Sequence, residues 1–92
     1  MGTIEKEFTD GLDRVLGELR QMLVEKNISY GDSALHPVRI FSNAGPSEQL
    51  RVRIDDKLSR LLCGATSHED TVLDLIGYLI LLRIAERHER ET

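Results

Sequence analysis

Apolar residues recur at a regular spacing in the first part of the chain. Phe8, Leu12, Val15, Leu19 and Met22 lie four, three, four and three positions apart. This is helical spacing with a near-heptad seam, and Leu16 and Leu23 widen it. It predicts an amphipathic helix over about residues 5–26. Gly11 and Gly17 each lower helix propensity by about 1 kcal/mol relative to Ala, so packing has to supply the balance. The seam can pack on other helices of the chain or pair with a second copy of itself.

The pattern then breaks. Residues 27–46, NISYGDSALHPVRIFSNAGP, are punctuated by Asn27, Gly31, Pro37, Asn43, Gly45 and Pro46, and read as one long connection. Connections of this length in a small helical domain are often functional. Within it, Val38 to Phe41 suit a short strand or a single helical turn, and Val38, Ile40 or Phe41 is expected to plug the core. Gly31 is expected to take a positive φ.

Helical periodicity returns at Leu50, Ile54, Leu58, Leu61 and Leu62. Ser47 after Pro46 is the expected N-cap and Gly64 the stop, giving a second helix over 47–63. At 100° per residue, Arg53, Lys57 and Arg60 stack along one edge of its apolar stripe. A third helix is expected over 67–87, opened by a capping-box-like Ser67-x-x-Asp70 with His68 and Glu69 in the first turn. The charged tail ERHERET is expected to fray. The fold class is therefore all-α: three helices, a long 27–46 loop, and a bundle completed by oligomerisation.

The third helix contains the run VLDLIGYLILL, residues 72–82, whose one charge is Asp74. Asp70, Asp74, Gly77, Tyr78 and Leu81 share one strip, and apolar residues cover most of the remainder. A helix this apolar is central to a bundle or lies in a subunit interface. An ionised carboxylate there needs a partner, and the cations in phase for it are Arg53 and Lys57.

Composition narrows the class. Ninety-two residues support one domain. With two Phe, two Tyr and no Trp, aliphatic side chains form the core. Cys63 is the lone cysteine, so no intrachain disulfide can form, which suits a reducing compartment. The charged start MGTIEKEFTDG does not read as a signal peptide, and eleven apolar-rich residues are too few to span a bilayer. The expectation is a cytoplasmic protein without a membrane partner. A net charge of −4 argues against strong binding to nucleic-acid backbone, although residues 47–62 are locally basic, with four bases and three acids.

Several groups have chemical potential. Asp70 and Asp74, four apart on one helical face, are a candidate Mg²⁺ anchor. The bland alternative makes Asp70 a cap and Asp74 a structural ion-pair partner. Arg53, Lys57 and Arg60 form a ridge able to grip a phosphate, or are spent on ion pairs and solvent. The Tyr30 ring can stack on a base, or cap the core. His36, His68 and His88 form no ligand set, and no Walker, Rossmann, HExxH or CxxC pattern is present. Cys63 has no base near it in sequence to make it a nucleophile.

Three short motifs carry a resemblance over roughly residues 22–85. They are Lys26-Asn27-x-x-Tyr30-Gly31-Asp32-Ser33, Arg53-x-x-Asp56-Lys57-x-x-Arg60-Leu61 and Glu69-Asp70-x-x-x-Asp74-Leu75-x-x-Tyr78. Together they resemble the small helical nucleotide-modification-associated domain proteins of phage and bacteria, a group similar to the all-α MazG-like nucleotide pyrophosphohydrolases. The resemblance implies a helical fold and a link to nucleotide metabolism or phage DNA modification. It implies roles for Lys26, Asn27, Tyr30, Arg53, Asp56, Lys57, Asp70 and Asp74. MazG-like enzymes hold Mg²⁺ through E-x-x-E and E-x-x-D pairs. Here the second helix has Asp55 and Asp56 instead, and the residue three after Asp70 is Leu73. That departure weighs against hydrolysis. Two function classes stay open. One is a binder of a nucleotide or nucleotide-derived phosphate, able to sequester a signal, with Lys26, Asn27, Tyr30, Arg53, Lys57 and Arg60 as ligand contacts. The other is an interaction module whose charge cluster is structural. A homo-oligomer is expected in both.

Overall fold

Three helices make up the computed structural model, which describes residues 2–64 and 70–91. They are α1 (Thr3–Ser29), α2 (Pro46–Cys63) and α3 (Thr71–Glu91), with no strand among the described residues. None of the described helices is long and apolar enough to cross a membrane.

Each helix end has a local cause. α1 runs three residues past its expected end and stops in a Schellman motif. The Gly31 N–H donates to Ile28 C=O at 3.4 Å and the Asp32 N–H to Asn27 C=O at 3.0 Å. Gly31 takes φ +62°, as its position requires, and Asp32 follows with the same φ. α2 starts one residue before the expected cap. Pro46 is its first residue and Gly45 its N-cap. Proline's fixed φ suits that position, and its missing N–H would have had no partner there. Gly64 stops α2 with φ +71°.

The expected cap at Ser67, with His68 and Glu69, lies outside the described residues. Asp70 caps α3 directly: its Oδ1 accepts the Leu73 N–H at 3.0 Å, and its C=O accepts the Asp74 N–H at 3.0 Å. The tail that was expected to fray is helical to Glu91. Glu89 explains the order. Its carboxylate accepts the Ser47 Oγ–H at 2.9 Å and the Ser47 N–H at 3.3 Å. The end of α3 thus caps the start of α2, where unpaired amides and the helix dipole favour a carboxylate.

α2 and α3 form an antiparallel hairpin, with Ser47 near Glu89, Arg51 near Glu86 and Lys57 near Asp74. α1 packs on α3 and not on α2, so α3 is the central helix. Met22 and Leu23 reach Gly77, where a Cβ would lie 2.8 Å from Met22 Cε. Among the described residues, the buried apolar side chains are Leu19, Leu50 and Ala85.

The loop corrects one expectation. Val38, Ile40 and Phe41 do not plug the core; Phe41 is fully exposed. Arg39 sits in the left-handed region at φ +59°. That turn breaks the extended alternation that would have aimed Val38 and Ile40 to one side. Leu50 and Ala85 already lie buried on the hairpin helices.

Candidate functional site

Because α1 and α2 both lean on α3 but not on each other, a groove opens between them with α3 as its floor. Its volume is about 300 Å³. The end of α1 contributes Lys26, Asn27 and Tyr30, α2 contributes Arg53, and α3 contributes Asp74, Gly77, Tyr78 and Leu81. Ser33 and Ala34, from the turn after α1, also line it. The Schellman turn puts Tyr30 at the helix cap, with its ring largely exposed. Leu19, one turn before Met22 and Leu23, is buried and fixes this part of α1.

Asp74 sits at the junction of all three helices. Its Oδ1 lies 3.2 Å from Lys26 Nζ of α1, and its Oδ2 lies 3.4 Å from Lys57 Nζ of α2. The two pairs differ physically. The Lys57 side chain is 10 % exposed and the Lys26 side chain 51 %. The Lys57 pair is therefore shielded from solvent screening, and the Lys26 pair is not. Lys57 answers the expectation that a cation from the second helix crosses to Asp74. Arg53 does not make that crossing. It stays at the groove wall and forms no ion pair among the described residues.

The other candidates divide clearly. Lys26, Asn27, Tyr30 and Arg53 come together in the groove. Lys57 is buried beneath it, and Arg60 pairs with Asp56 at 3.1 Å on the outer side of α2. Asp70 spends one carboxylate oxygen on its cap bond. A Mg²⁺ ion on Asp70 and Asp74 would have to compete with that bond and with both lysines. Among the described residues, no three His, Cys, Asp or Glu side chains converge as a metal-binding group. Cys63 is a free, exposed thiol.

Tyr78 and Ser33 line the groove but were not assigned ligand roles from sequence. A signal for Tyr78 was present, since it shares the helical strip of Asp74 and Gly77. Ser33 depends on the path of the turn after α1, which periodicity does not encode. The wall is cationic: Lys26 and Arg53 outnumber the carboxylate of Asp74. Compared with known protein families, curated proteins and solved structures, the chain matches none.

Proposed function

We propose that the groove binds a mononucleotide or a related nucleotide-derived phosphate, without hydrolysing it. One observation carries this reading. Lys26, Asn27, Tyr30, Arg53 and Tyr78, drawn from three helices, line a single concavity in a chain of net charge −4. Arg53 and the half-exposed Lys26 suit a phosphate, with the guanidinium offering a two-pronged grip. Tyr30 and Tyr78 offer ring faces for a base, and the Asn27 amide can both donate and accept at a base edge. A volume of about 300 Å³ lies at the small end of ligand sites and matches one nucleotide. The family resemblance in the sequence points to the same ligand class. Binding without turnover is favoured because Asp74, the groove's carboxylate, has both oxygens beside lysine ammonium groups.

A thermal-shift panel of nucleoside mono-, di- and triphosphates and cyclic nucleotides, with and without Mg²⁺, tests the reading. At least one compound should raise Tm. Arg53→Ala and Tyr30→Ala should each weaken that ligand about 10-fold or more while leaving the unliganded Tm nearly unchanged. No stabilisation by any compound, or unchanged binding in both variants, refutes it. Phosphate release from the bound nucleotide would replace it with a hydrolase.

A further inference from the structure

Among the described residues, nothing buries the first half of α1. Every residue from Gly2 to Glu18 is exposed, including Ile4, Phe8, Leu12, Val15 and Leu16 on one stripe. Further along, the same stripe is covered: Leu19 is buried, and Met22 and Leu23 lie against Gly77. One continuous seam is therefore packed by α3 at one end and bare at the other.

The chain as a whole is extended. The chain exposes 7213 Å², whereas a compact monomer of 10.4 kDa exposes about 5400 Å². Its radius of gyration is 15.7 Å, against about 12 Å for a compact domain of this length. The excess, about 1800 Å² over the whole chain, is shared between the bare half of α1 and the exposed loop residues Val38, Ile40 and Phe41, and a part of it is enough for a specific interface, which takes about 800 Å² from each partner.

We propose that residues 4–16 of α1 form a self-association surface, pairing antiparallel with the same segment of a second copy about a two-fold axis. A near-heptad stripe is complementary to itself, as such an axis requires. The packing of α3 sets the direction. In a parallel pair, both copies would present their α3 on the shared seam at the level of residues 19–26, and the two would collide. An antiparallel pair sets bare stripe against bare stripe, with each α3 beyond the partner's first turn. Gly11 flanks the stripe beside Phe8 and Val15. A Cβ there would meet nothing within 4 Å, so the position leaves room for a second backbone.

Sedimentation velocity of the full chain over a wide concentration range tests the pairing. The expected species has twice the mass of the chain. Leu12→Glu should raise the dimer dissociation constant about 30-fold or more. Should that variant lose helicity, cysteine cross-linking in a Cys63→Ser background reads the same contact without a disruptive charge. Leu12→Cys, near the axis, should form a disulfide-linked dimer readily, and Ile4→Cys, far from it, poorly. A monomer at all concentrations overturns the proposal. So does a dimer indifferent to Leu12→Glu but lost on Phe41→Ser, which would move the contact to the loop. Equal cross-linking at residues 4 and 12 overturns the antiparallel arrangement.

Discussion

The α2–α3 hairpin and the first half of α1 are both helical, yet they are held by different means. In the hairpin, Leu50 and Ala85 are buried, Ser47 is capped by Glu89, Arg51 reaches Glu86 at 3.1 Å, and Lys57 meets Asp74 under cover. The first half of α1 has ordinary helical sequence and an apolar stripe that the described residues leave exposed. An isolated helix of that length is marginal in water. The contrast teaches that helix in this chain has two sources. In the hairpin it comes from tertiary contacts that are complete within one molecule. In the first half of α1 the proposed pairing would supply the same kind of contact from a second copy.

Three sets of substitutions break or sharpen this contrast. The largest effect is expected from Leu50→Ala, because Leu50 is 1 % exposed. A fully buried Leu→Ala costs about 2–5 kcal/mol. The matching change Leu12→Ala should move the stability of the dilute chain by less than about 0.5 kcal/mol. Urea unfolding of both at low protein concentration checks the pair, and equal costs would erase the distinction.

Next comes the shared carboxylate. Lys57→Ala should cost roughly 3 kcal/mol, because it strips a partner from a mostly buried ion pair. Lys26→Ala should cost about 0.2–1 kcal/mol, as for an exposed pair. The same unfolding assay ranks them, and a reversed order would mean that α1 rather than α2 anchors Asp74. The smallest effect is expected from Glu89→Ala, about 1 kcal/mol for the lost cap. Hydrogen exchange should then quicken at the first turn of α2 and not in residues 3–16.

How much of this could be read beforehand depends on the range of the contacts involved. The three helices followed from local periodicity, and the Gly64 stop and the positive φ of Gly31 from backbone chemistry, whereas the end of α1 fell three residues beyond the expected one. Asp74 needed a partner because of its apolar neighbours, and helical phase brought forward Lys57, which the structure pairs with it. Lys26 as the second partner was not legible, since it depends on how α1 crosses α3. Glu89 was hidden for a related reason. It acts on a helix 42 positions away in sequence, and its own surroundings look like a charged tail. Val38 to Phe41 misled because apolar composition in a loop says nothing about direction, and the left-handed turn at Arg39 determines it. In the groove, Lys26, Asn27, Tyr30 and Arg53 came from short motifs. That Lys57 and Arg60 lie elsewhere follows from their positions around α2 relative to α3.

Gly77 shows how little material separates these outcomes. It is buried at the point where Met22 and Leu23 touch α3, and it also forms part of the groove floor. A single methyl group there would press on the far end of Met22, and a longer side chain would wedge α1 off α3 while filling the cavity below. One absent side chain thus acts as a gauge for two dimensions, the spacing of the helices and the depth of the groove. Sequence variants cannot change one of them at this position without changing the other.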